Sequence, residues 1–73
     1  MNKEKHQKFQ RLAKLRGERV IKDLQLISNL ANRNNYDYRD EDVRAIFSAI
    51  EEEVKLAKSD FAKKKARGIR FDK

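Results

Sequence analysis

Two stretches of the chain repeat their apolar residues at the helical period, and a polar stretch separates them. In the first, Val20, Leu24, Ile27 and Ala31 fall at i, i+4, i+7 and i+11, with Ile21 beside them, which is one face of a helix. A second, roughly opposite face carries Leu26 and Leu30, joined by Leu12 and Leu15 if the helix continues upstream. A helix apolar on two sides wants two neighbours, so a homodimer or another protein is implied beside any intramolecular partner. In the second stretch Val43, Phe47, Ile50, Val54, Ala57 and Phe61 alternate steps of four and three, a heptad seam that Ile46 widens and Leu56 leaves. Two such helices joined by a short elbow predict an all-α fold, an antiparallel two-helix hairpin.

The ends of these elements follow from local chemistry. Residues 1–8 lack an apolar period and are expected to fray, while residues 9–16, with Phe9, Leu12 and Ala13, suit a helix. Gly17 costs a helix about 1 kcal/mol relative to Ala and is expected to mark a bend or the start of the packed region. Arg33, Asn34 and Asn35 are expected to close the first helix, because asparagine tolerates the left-handed conformation past a helix end. Tyr36 and Tyr38 then break the period and are expected to fold back on the hairpin's end. Asp40 is the expected N-cap of the second helix, with Glu41 and Asp42 favouring the positive end of its dipole. Gly68 is expected to end that helix. The domain reading is a basic, partly frayed arm (1–16), a helical hairpin domain (17–62) and a basic disordered tail (63–73).

Charge sharpens this division. The net charge is +7, unevenly spread: residues 1–22 hold eight Lys/Arg against two Glu, residues 23–60 five against nine acids, and residues 61–73 six against Asp72. Basic arms flanking a mildly acidic middle suggest nucleic acid, an anionic membrane or an acidic protein surface. With 42% charged and 38% hydrophobic residues in 73, part of the chain is expected to stay unpacked. Cysteine is absent, so disulfide staples and thiolate metal sites are excluded. No apolar run approaches the roughly 18 residues that span a bilayer, and no signal-peptide core is present. The expectation is a soluble cytoplasmic protein without a membrane partner.

Candidate chemistry is sparse. His6, the single histidine, has neither an orienting partner nor a pocket in prospect and is taken as solvated. Asp40, Glu41 and Asp42, and the run Glu51, Glu52 and Glu53, lack the alternation and glycine turn of a calcium loop; capping and a solvated helix face explain them. No catalytic, cofactor-binding or metal residue is assigned, no small-molecule substrate is implied, and an enzyme is not expected. Two surfaces remain. An antiparallel hairpin would merge Lys14 and Arg16 with Lys63, Lys64, Lys65 and Arg67 into one basic end, either a phosphate-binding patch or a solubilising charge run. The elbow, residues 29–38, packs four asparagines, two tyrosines and an arginine into ten residues. Leu26, Leu30, Arg33, Asn35, Tyr36 and Tyr38 there are either helix termination with aromatic closure of the core or a partner-binding surface.

The runs Arg19-Val20-Ile21-Lys22, Leu26-Ile27-Ser28-Asn29-Leu30-Ala31-Asn32-Arg33, Asn35-Tyr36-Asp37-Tyr38 and Glu41-Asp42-Val43, with Leu24 and residues 46–51, resemble a family of small helical bacterial proteins of phages and mobile elements. The resemblance covers residues 9–61, and Asn-Leu-x-Asn-Arg-x-Asn-Tyr-x-Tyr is its most distinctive part. Members often carry Thr or Ser where this chain has Arg39, forming a capping box with the residue at Asp42, so here the cap is expected to move to Asp40 or be lost. In size and charge layout the chain is also similar to polymerase-binding regulators of lytic phages, a Xanthomonas phage among them. That similarity implies binding to host RNA polymerase, on the N-terminal part of β′ near the exit channel, with inhibition of initiation and antitermination. The alternatives are nonspecific nucleic-acid binding through the basic arms and a homodimeric structural bundle.

Overall fold

A computed structural model of the chain describes the backbone of residues 2–70 and the side chains of residues 2–62. It is all-helical: α1 spans Lys3–Ser28, a 3-10 turn Asn29–Ala31 extends it, and α2 spans Asp40–Arg70. No strand occurs among the described residues. The chain divides into two units, Met1–Asp37 and Tyr38–Lys73, each built around one helix.

The first unit begins earlier than the apolar pattern does. Residues 3–8 are helical rather than frayed, because Asn2 caps them: its side-chain oxygen accepts from the Lys5 amide at 2.9 Å, and its carbonyl accepts from the His6 amide at 2.9 Å. Glu4 adds an acid to the first turn. Gly17 lies within the uninterrupted helix, where a Cβ would meet nothing within 4 Å, so no local crowding selects glycine there. The α-helix stops at Ser28, before Arg33, Asn34 and Asn35. The chain tightens into the 3-10 turn and leaves through Asn32 at φ −73 and ψ 101. No non-glycine residue among those described has positive φ, so the expected left-handed asparagine is absent; the tightened last turn redirects the chain instead.

The second unit starts at Arg39. Its carbonyl accepts from the amides of Asp42 at 3.0 Å and Val43 at 3.3 Å, which makes Arg39 the cap and Asp40 the first helical residue. Asp42 returns the favour, its carboxylate accepting from the Arg39 amide at 2.8 Å. This is half of a capping box: the acid three residues in is present and the cap hydroxyl is missing. At the other end α2 continues through Gly68 to Arg70. Lys, Ala and Arg dominate residues 62–67, and a single glycine costs about 1 kcal/mol against that propensity, so the expected stop at Gly68 and a structureless run over 63–70 do not occur. Residues 71–73 of the expected tail lie outside the described residues.

No described side chain is buried on either helix. Those most covered are Leu12, Leu24 and Ile27 on α1, Tyr38 just before α2, and Ile50 and Ser59 on α2. A lone helix covers its side chains only with neighbours three and four residues away, which leaves Phe47 39% and Val54 45% exposed. At about 100° per residue, the α1 line of Leu12, Leu15, Leu26 and Leu30 sits roughly a third of a turn from the seam through Val20 and Leu24.

The half-built cap makes a stability prediction. Arg39→Ser supplies the missing hydroxyl and is expected to stabilise α2 by roughly 0.5–1 kcal/mol, while Asp42→Ala costs about as much. Thermal unfolding followed by circular dichroism should show the two melting temperatures moving in opposite directions.

Candidate interaction site

The elbow is organised by Asn32, a residue that pattern reading did not single out. Its side-chain oxygen accepts from the Asn34 amide at 3.0 Å, and its carbonyl accepts from Asn35 at 3.1 Å and Tyr36 at 3.0 Å. One residue thus accepts from three backbone amides of the turn that follows α1. The available signal is an asparagine two residues ahead of further polar residues, the pattern of an Asx turn. Four asparagines in ten residues make the responsible one hard to pick.

Around this turn the candidate partner-binding residues separate. Leu26 lies on the last turns of α1 and is 55% exposed, and Leu30 lies in the 3-10 turn at 49%. Arg33 and Asn35 are exposed on the turn itself, and Tyr36 follows at 47%. All five belong to the first unit, whereas Tyr38, more covered, opens the second. Apolar and aromatic side chains therefore stand half in solvent beside a turn whose backbone amides are already satisfied.

The basic candidates also fall in separate units. Lys14 and Arg16 are exposed on α1, near opposite edges of an arc that also carries Lys8, Arg11, Arg19 and Lys22. Lys63, Lys64, Lys65 and Arg67 occupy helical positions of α2, and their side chains lie outside the described residues. Among the described residues no group of three or more His, Cys, Asp or Glu could hold a metal ion, and no helix is long and apolar enough to cross a membrane.

One further surface was missed by the sequence reading. On α2 the line Asp42, Ile46, Ala49, Glu53, Leu56 and Asp60 repeats every three and four residues, about a quarter of a turn from the seam. Its acids interrupt the hydrophobic signal, so Ile46 reads as a widening of the seam and Leu56 as an outlier. Comparison of the chain with protein-family models, with curated proteins and with solved structures finds no match.

Asn32→Ala is expected to free the Asn34 amide and raise hydrogen exchange at Asn34, Asn35 and Tyr36 several-fold, with helix content unchanged. Asn32→Asp, which keeps the acceptor, should exchange like the parent. Amide-resolved exchange by NMR reads both.

Proposed function

We propose that the chain is a non-enzymatic, phage-type regulator that docks on host RNA polymerase through its elbow and alters transcription, by inhibiting initiation, promoting antitermination, or both. The observation that carries the docking reading is the Asn32-centred turn with half-exposed Tyr36, Leu30 and Leu26 around it. Arg33, Asn35 and Tyr38 complete the surface, tyrosine and arginine being favoured interface anchors. The polymerase as partner is supported by the resemblance of residues 9–61 to phage-borne proteins and by basic arms suited to a neighbour that holds nucleic acid. The setting is the cytoplasm of a bacterial host.

The same reading closes α1 and α2 into an antiparallel hairpin. Folded about the elbow, the seams meet in consistent layers: Ile27 with Val43, Leu24 with Phe47, Val20 with Ile50, Gly17 with Val54, Ala13 with Ala57, and Phe9 with Phe61. Every layer is apolar, and the small residues of α1 stand opposite α2 where the helices must approach. Burying such side chains stabilises by about 1.5–3 kcal/mol each before entropic costs, the driving force that neither helix has alone.

Tagged protein incubated with bacterial lysate under exhaustive nuclease treatment is expected to retain the polymerase subunits, and Tyr36→Ala combined with Arg33→Ala to lose them with helix content intact. Loss of polymerase from the parent protein on nuclease treatment sinks the reading.

A second reading is favoured by the charge distribution: eight Lys/Arg on the first 22 residues, including Lys14 and Arg16, and a second basic cluster on α2. Here the chain binds nucleic-acid phosphates nonspecifically. Affinity in a gel-shift titration should then collapse between about 50 and 200 mM salt and vanish when Lys63, Lys64, Lys65 and Arg67 are neutralised. Salt-insensitive binding excludes it.

A further inference from the structure

We infer that α1 binds double-stranded DNA through two copies of one eleven-residue unit, seating its cations between the phosphate edges of the major groove. The inference rests on the nucleic-acid reading of the preceding section and adds the form of nucleic acid and the face that holds it. It draws on the first unit of the chain alone.

The repeat emerges once α1 is known to begin at Lys3. All four cations of residues 3–13 return eleven positions later: Lys3 as Lys14, Lys5 as Arg16, Lys8 as Arg19, and Arg11 as Lys22. Two apolar positions return with them, Phe9 as Val20 and Ala13 as Leu24. Residues 3–24 hold no other Lys or Arg, so the repeat accounts for every cation of this region. A third copy does not follow, because Gln25, Ile27 and Leu30 stand where Lys14, Arg16 and Arg19 would recur.

Helix geometry converts this spacing into a surface. Eleven residues make three turns plus about 20°, so each pair forms a row nearly parallel to the axis, its members about 16 Å apart. The Lys3–Lys14 and Lys5–Arg16 rows stand on nearly opposite sides of the helix, and the other two rows lie between them. All eight cations are exposed. The remaining third or so of the circumference holds Phe9, Ala13, Val20 and Leu24, and over residues 3–24 it carries no Lys, Arg, Asp or Glu. Two features keep the copies in register. The Asn2 cap makes the first copy helical, and the helix runs through Gly17 without a break. Glu4, Glu18 and Asp23 share the charged arc, and eight cations against these three acids leave +5 over residues 3–24.

This arrangement selects the ligand. Cation rows on opposite sides of one helix suit anions on both sides of it, rather than a single flat anionic sheet. The major groove of B-DNA, roughly 12 Å wide, admits an α-helix and presents phosphates along both edges. The deep, narrow major groove of A-form RNA does not admit side chains. Single strands are held largely by stacking of bases on aromatic rings, and the one aromatic residue of α1, Phe9, lies on the uncharged side. Rows of Lys and Arg at phosphate edges position the helix without reading sequence.

Fluorescence anisotropy of the full chain tests this, with a short mixed-sequence duplex and its single strands titrated over a range of salt. The duplex is expected to bind at least about tenfold tighter than either strand. Replacing Lys3, Lys5, Lys8 and Arg11 by Gln should flatten the slope of log affinity against log salt by about three to four, at roughly 0.9 per phosphate contact. Replacing Lys14, Arg16, Arg19 and Lys22 by Gln should do the same. A third variant keeps the composition and moves two cations to the uncharged side: Lys5→His with His6→Lys, and Gln10→Arg with Arg11→Gln. At a pH where histidine is neutral, it is expected to flatten the slope by about two. Gln is a good helix former, so circular dichroism should show parental helix content in the neutralised variants.

A permuted chain that binds like the parent reduces the rows to a diffuse charge run and overturns the inference. So does a repeat whose neutralisation leaves the slope unchanged, or a single strand bound as tightly as the duplex. Partition onto phosphatidylserine vesicles by a chain that leaves the duplex unbound also overturns it. The two levels fail differently. Duplex binding unchanged in both neutralised variants removes α1 and leaves the nucleic-acid reading to residues 63–67, whereas no binding to either form of DNA removes both.

Discussion

The α2 seam is the constraint on which the rest depends. Val43, Phe47, Ile50, Val54, Ala57 and Phe61 form an apolar line about 28 Å long, and nothing on α2 itself can cover it. The same holds for Val20, Leu24 and Ile27 on α1. A charged, 73-residue chain with no cysteine has no disulfide staple to substitute for this burial. In the proposed hairpin the complementary layers of the two seams supply this burial.

Polar groups tell the opposite story. Asn2 caps α1, Asn32 satisfies the turn after it, and Arg39 with Asp42 closes the start of α2. Both ends of α1 and the start of α2 are thus completed by residues within four positions along the chain. The elements are locally self-sufficient in hydrogen bonds and dependent on other helices for burial. This separation suits the proposed binding role: the backbone conformation is specified locally, and the apolar and aromatic groups around the elbow stay half-exposed.

The helices were legible in the sequence because a period of 3.6 survives in their apolar residues. Their limits were less so. The start at Lys3 depends on one asparagine outside any apolar pattern, and the stop at Ser28 depends on a change of backbone pitch that leaves no mark in composition. Gly68 reads as a stop by propensity, yet one glycine among Lys, Ala and Arg does not end a long helix. Arg39 as cap contradicts side-chain preference, because the carboxylate of Asp42 supplies the hydrogen bond that the cap residue ordinarily receives in return for its own. At the elbow the interface-type residues were visible as an excess of Tyr, Asn and Arg. The role of Asn32 was hidden among three other asparagines. The acidic line of α2 escaped for a different reason: hydrophobic periodicity scores Asp42, Glu53 and Asp60 as interruptions.

In the proposed hairpin the two apolar seams cover each other. Nuclear Overhauser contacts between the Phe47 ring and side-chain methyls test it most directly in the full-length chain. Contacts from the Phe47 ring to the methyls of Leu24, together with Val20 to Ile50, are expected. Contacts from Phe47 confined to its own helix, at Val43 and Ile50, with none to α1, would contradict it.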